Sequence, residues 1–269
     1  MEPSKTSRPT GYSYPPHTVR PSGNTLAGET WTWWEGAVAF GIFILAQLLA
    51  GAAMGVLIHQ GLLPKAWMPQ QNTPIHGGAM YVLLAASSLL TLALLVLLIT
   101  RRGPHGWAMA GFTKAGLTRQ ALGGVPAAIL GGMLIQVAAI PIEIAWPPPH
   151  TFETQFSQVM TLGPLPFLGF ALLLGVLIPL VEEITFRGVL FPALQRPLGG
   201  LWAAGAVSLL FTLLHYDQWE SYPFYFILIF SMAMVLAWLR YRSGGLWQPW
   251  AFHAGINLTA LGAAVAASG

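Results

Sequence analysis

Apolar residues in this chain come in long runs separated by short polar stretches. The runs lie at about 36–60, 78–100, 121–141, 165–195, 200–216, 222–240 and 246–267. Most reach or approach the ~20 residues that a helix needs to cross the hydrocarbon core of a bilayer, and the fifth is the shortest. The pattern predicts an all-α, polytopic bundle of about seven to eight transmembrane helices. The eighth would arise if 61–77 or 104–120 dips into the membrane. Pro141, Pro164 and Pro249 fall near run ends and are expected to mark turns.

The first thirty residues differ in kind. They are rich in Pro, Ser, Thr and Gly, with Lys5, Arg8 and Arg20, and lack the apolar centre of a signal peptide. Residues 1–35 are therefore expected to form a disordered cytoplasmic tail, and 36–269 a membrane-embedded domain. Trp31, Trp33 and Trp34, just ahead of the first run, fit an aromatic belt at the membrane surface.

Composition narrows the class. Hydrophobic residues make up 55% and charged residues 8%, against roughly 25% charged in a soluble domain. So few charges cannot coat a water-soluble globule, which excludes a soluble enzyme, and so apolar a chain is not disordered. The absence of cysteine removes disulfides, thiol nucleophiles and Cys-based metal sites. The pI near 9.4 comes with a net charge of only +3, and the basic residues sit between apolar runs. With the tail inside, ten of the twelve Lys and Arg fall on the cytoplasmic side; Lys65 falls outside and Arg187 lies within a run. The positive charge is thus a topology signal, and no nucleic acid is expected as a partner. The expected location is the cell membrane, multi-pass, with a cytoplasmic N-terminus.

The fourth run holds Glu182, Glu183 and Arg187 in an otherwise apolar stretch. A charge at the bilayer centre costs about 2.5–3.5 kcal/mol on the insertion scale, so three together need a reason. Glu183 and Arg187 are four apart with the acid first, the favourable order for a helical ion pair. That leaves Glu182 about 100° round the helix, free for other work. The bland alternative is a run broken at 181, with all three charges in a loop. His215 closes the fifth run, with Phe211 one turn earlier, and His253 and Asn257 share a helical face in the seventh. Each could be ordinary: an interfacial histidine, or packing between helices.

Depth tests whether these groups can meet. Counted from the cytoplasmic ends of their runs, Glu182 lies roughly 20 Å deep, His215 roughly 22 Å and His253 roughly 10 Å. The first two match, and the third is shallower. If the groups converge, a carboxylate beside an imidazole can deprotonate water and later protonate an amine leaving group. A second histidine and an amide can donate to the oxyanion of a tetrahedral intermediate. The water-activating pair would be Glu182 and His215, and the oxyanion pair His253 and Asn257. Glu182, His215 and His253 would also be the ligand set of a hydrolytic zinc site, although the HExxH spacing is absent. Metal dependence stays open between no cofactor and a divalent metal such as zinc.

At these residues the chain resembles the CAAX-processing and bacteriocin-processing intramembrane endopeptidases, the family that includes the Ras-converting CAAX prenyl protease. The likeness rests on Glu182-Glu183-Ile184-Thr185-Phe186-Arg187, on Phe211 to His215 and on His253 to Asn257, in the family's order on successive runs. The lead-in SGGLWQPWAFHAGIN is also similar, and the resemblance covers about 165–260. It implies roughly eight helices, with a site inside the membrane reached from the cytoplasm. Glu182 would be the water activator with His215, His253 and Asn257 the oxyanion stabilisers, and Glu183, Arg187 and Phe211 supporting residues. Members are commonly labelled metalloproteases, and a metal-free glutamate mechanism is also argued for them. The implied partner is a membrane-associated peptide or protein, which need not be prenylated. Two other classes compete: a proton-linked transporter, for which no internal repeat is visible, and a non-catalytic scaffold or immunity protein of the same fold.

Overall fold

The computed structural model describes residues 30–68, 76–113, 119–147 and 158–268, so the expected tail lies almost wholly outside the described residues. Nine helices carry the described chain: α1 (Trp33–His59), α2 (Gly77–Thr100), α3 (Pro104–Met109), α4 (Arg119–Ala145), α5 (Pro164–Leu198), α6 (Gly200–Leu213), α7 (Tyr216–Trp219), α8 (Phe224–Ser243) and α9 (Trp247–Ser268). All seven apolar runs are helical. Among the described residues, α1, α2, α4, α5 and α8 are long and apolar enough to cross a membrane. The protein is therefore a multi-pass, all-α membrane bundle.

Five such helices fall short of the seven to eight expected, for two physical reasons. α6 has 14 residues, about 21 Å at 1.5 Å per residue, against ~30 Å of hydrocarbon. α9 is long enough but gives positions to Gln248, His253 and Asn257. Apart from the first residues of α2 and α4, the two stretches considered for an eighth crossing hold the single turn Lys65–Trp67 and the six-residue α3 among their described residues.

Pro141 is a further correction. It sits inside α4, as does Pro126, and the helix continues to Ala145. Neighbouring helices can satisfy the carbonyls a proline frees, so a membrane helix tolerates it. Pro164, in contrast, opens α5, where no N–H is needed. Pro249 falls in the first turn of α9.

The start of α1 is fixed by chemistry the apolar pattern does not reveal. Thr32 and Glu35 form a capping box. The Glu35 carboxylate also takes two hydrogen bonds from Arg102, Nε to Oε1 and Nη2 to Oε2, both 2.7 Å. This fork joins the start of α1 to the end of α2. Trp31 is buried in the core and so leaves the expected aromatic belt, whereas Trp33 and Trp34 are exposed.

Contacts between helix ends set the bundle's order. At one rim Arg240, near the end of α8, donates to the Met109 carbonyl, Leu246 N–H bonds the Gly111 carbonyl, and Ala193 of α5 packs on Gly36 of α1. At the other, Tyr225 at the start of α8 bonds Glu143 near the end of α4. Arg101, Arg102, Arg196, Arg240 and Arg242 all belong to the first rim. α4 and α9 make the most extensive helix pair. Their backbones touch: a Cβ on Gly132 would run into the Phe252 carbonyl, and one on Gly255 into the Ile129 carbonyl. Only glycine permits that approach, as in other close membrane helix pairs.

Candidate active site

α5 is unbroken from Pro164 to Leu198, so Glu182, Glu183 and Arg187 lie on a helix inside the bundle rather than in a loop. The helix is not uniform. It widens to i→i+5 hydrogen bonding over Leu173–Leu177 and again over Ile184–Leu190. Such π-turns are uncommon and recur at functional sites. Here they flank the two glutamates.

Glu183 is fully buried and accepts from Arg187 Nη1 at 3.1 Å, the pair the i, i+4 spacing predicts. Arg187 is equally buried. Its Nη2 donates to the Ala233 carbonyl of α8, and its guanidinium carbon lies 4.9 Å from the Phe211 ring centroid, a cation–π contact. Arg187 thus ties α5 to α6 and α8. Glu183 Oε2 and Arg187 Nε are buried without partners among the described residues.

His253 stands between the two acids. Its Nδ1 is 3.1 Å from Glu183 Oε1 and its Nε2 is 3.6 Å from Glu182 Oε2. Sequence spacing gave no sign of the Glu183 contact. The Glu182 side chain keeps 12% of its exposure, against none for Glu183. Of the two carboxylates, Glu182 is the one a small molecule can reach.

The depth difference at His253 has a structural cause. The α8–α9 turn does not lie level with the end of α5. Arg240 Nε donates to the Arg187 carbonyl, and Gly188 packs beside the Ala110 carbonyl. The start of α9 therefore sits about one helical turn from Arg187. The last eight residues of α5 run on past it along the start of α1. Counting depth from Gln195 added residues 191–195 to the depth of Glu182 and nothing equivalent to that of His253.

Phe211 is the hub of the cluster. Its ring meets Phe186, His253 and His215 at centroid distances of 5.2, 5.8 and 4.5 Å. His215 lies just beyond the end of α6, with Nδ1 2.7 Å from the Phe211 carbonyl. A carbonyl only accepts, so Nδ1 carries the hydrogen and Nε2 is left as an acceptor. Among the described residues, Glu182 and His215 make no direct hydrogen bond or ion pair. The expected pair shares no hydrogen bond and is linked through His253 and the Phe211 ring, close enough for the Glu182 charge to act on the His215 ring.

Asn257 has a structural partner that was not foreseen. Its Nδ2 donates to the Leu174 carbonyl at 2.9 Å. In the i→i+5 register of Leu173–Leu177, that carbonyl faces residue 179, a proline with no N–H. Asn257 supplies the missing donor. Pro179 within the fourth run was the one sequence signal for this arrangement.

Among the described residues, no group of three or more His, Asp or Glu is placed to hold a metal ion. Glu182, His215 and His253 therefore do not fit a zinc ligand set: His253 faces a carboxylate with each nitrogen, and His215 is turned to a backbone carbonyl by its Nδ1.

Comparison with known proteins gives one match. Residues 164–259 match the family described as Type II CAAX prenyl endopeptidase Rce1-like. The matched segment runs from the start of α5 through Asn257 and so contains the whole cluster. Searches of curated proteins and of solved structures return no match.

Proposed function

We propose that the protein is an intramembrane endopeptidase that hydrolyses a peptide bond with activated water, a reading supported by the match of residues 164–259 to the family described as Type II CAAX prenyl endopeptidase Rce1-like. The observation that carries this reading is the convergence of Glu182, Glu183, Arg187 and His253 from α5 and α9, with Phe211 and His215 of the α6 end against them. So many ionisable groups inside a membrane bundle are costly unless they serve a function.

The roles follow from the atoms. Glu182, the accessible acid, takes a proton from water, while His215 Nε2 accepts the water's second hydrogen bond. The hydroxide adds to the scissile carbonyl. His253 in its doubly protonated form donates Nδ1–H to Glu183 and offers Nε2–H to the developing oxyanion. Asn257 has a second amide hydrogen beyond the one given to Leu174 and adds to that site. Glu182 then returns its proton to the departing amine. Glu183 orients the His253 ring, and Arg187 balances Glu183. No step passes through a metal.

The arginine-rich rim supports a cytoplasmic placement of the α1 start, by the positive-inside rule. On that topology α6 and α9 also cross, completing seven spans. The substrate is a membrane-associated peptide or protein. The test is to reconstitute the chain with membrane peptides and compare it with Glu182→Gln. Cleavage by the parent and none by the folded variant is the expected result. Equal cleavage by both would remove Glu182 from the mechanism, and no cleavage by either would favour a non-catalytic scaffold.

A further inference from the structure

Arg240 carries a charge that the proteolytic reading leaves unused. It lies three residues before the end of α8, at the arginine-rich rim. Its Nε donates to the Arg187 carbonyl at 3.0 Å and its Nη2 to the Met109 carbonyl at 3.1 Å. Both acceptors are neutral. Arg102 and Arg187 each have a carboxylate; among the described residues Arg240 has none within ion-pair distance. Its two hydrogen bonds use Nε and Nη2, which leaves the third nitrogen, Nη1, without a hydrogen-bond partner among the described residues. A half-buried guanidinium held only by neutral carbonyls keeps its positive charge uncompensated.

Arg240 also lines a cavity of about 220 Å³, together with Phe191, Pro192 and Gln195 of α5 and Tyr241 and Gly244 at the end of α8. Gln195 and Tyr241 both approach Gly200, the first residue of α6, whose start has no side-chain cap. An uncapped helix start adds partial positive charge on the same side. The surroundings are those of a membrane surface: Tyr241 and Trp238 are exposed, and Arg242 stacks on Trp238.

We propose that this cavity binds a phosphate-bearing anion, which in the membrane is the headgroup of an anionic glycerophospholipid. Arg240 is the charged donor, and Gln195 and Tyr241 line the same cavity and can add polar contacts. A guanidinium suits phosphate oxygens in charge and geometry. Basic pockets between membrane helices at the level of the headgroups are known to take such groups. Phe191 and Pro192 give the apolar wall that the glycerol end of a lipid would meet. The site is separate from the Glu182 cluster, although Arg240 reaches the Arg187 backbone, and its occupancy does not depend on proteolysis.

The test uses the full chain in neutral detergent. Dioctanoyl phosphatidylglycerol, dioctanoyl phosphatidylcholine and inorganic phosphate are titrated separately, and bound ligand is counted by native mass spectrometry. Saturable binding of phosphatidylglycerol at one site, at least tenfold tighter than phosphatidylcholine, is expected. Gln195→Glu sets a carboxylate in the cavity that Arg240 lines and should weaken that binding tenfold or more with the melting temperature retained; Arg240→Gln should weaken it as much but also lower the melting temperature, because it gives up the contacts to the Arg187 and Met109 carbonyls. Inorganic phosphate that displaces the lipid from the parent protein would support the phosphate chemistry and identify the free ion as a competent ligand. Lipid binding without such displacement would support the headgroup as the source. Equal binding of the two lipids with no phosphate bound, or phosphatidylglycerol affinity unchanged in Gln195→Glu, would overturn the proposal.

Discussion

His253 Nδ1 lies 3.1 Å from Glu183 Oε1, a contact between residues 70 apart in the chain. It gives adjacent glutamates different tasks. Glu183 is consumed by Arg187 and His253 and has no exposure, whereas Glu182 faces His253 Nε2 from 3.6 Å and keeps some access. One acid is sealed in an ion-paired cluster and the other stays open to a small molecule.

Glu182→Gln should reduce peptide cleavage by about 10²–10⁴-fold, the usual worth of a general base. The fold should be retained, because Glu182 is only partly buried and carries no short ion pair. Turnover and melting temperature measured on the same preparation check this; a large fall in melting temperature would reassign Glu182 to structure.

Glu183→Gln should act chiefly on stability. It leaves the buried Arg187 without its counter-charge, and breaking such a pair costs about 3–5 kcal/mol. Thermal unfolding in detergent should show a much larger loss than for Glu182→Gln. A similar melting temperature for the two variants would contradict the division between the acids.

Asn257→Ala should be costly in two ways. The Leu174 carbonyl loses its donor, at about 1–3 kcal/mol for an unsatisfied buried group. Turnover should fall roughly 10²–10³-fold if the second amide hydrogen serves the oxyanion. Loss of stability with turnover preserved would leave Asn257 the helix contact alone.

Gly132→Ala and Gly255→Ala should each force α4 and α9 apart, because the new methyl meets a backbone carbonyl that cannot move aside. Overpacking of this kind costs about 1–3 kcal/mol, and cleavage should fall as α9 carries His253 out of place. Gly123→Ala, where a Cβ meets nothing, should leave both melting temperature and cleavage unchanged.

Cleavage should survive metal removal, since the donors present do not form a ligand set among the described residues. A chelator titration with metal analysis checks this, and activity lost with chelator and restored by zinc would contradict it.

Much of the outcome was written in the chain itself. Apolar runs too long for a soluble helix required membrane helices, because only lipid or a helix interior tolerates them. The acid-first spacing of Glu183 and Arg187 fixed their pairing, since four residues make about one helical turn. The order of the three motifs carried the resemblance to the family that residues 164–259 match. What the sequence left undecided depended on how helices lie against one another. The turn between α8 and α9 sits beside Arg187 instead of at the end of α5, and that brings His253 to the glutamates. Glycine contacts between α4 and α9 hold it there. Proline at 179 became meaningful only once the π-turn faced it with the Leu174 carbonyl and α9 supplied Asn257. Local spacing determines which groups share a helix face; relative depth and close approach arise from packing between helices, so only the tertiary structure decided them.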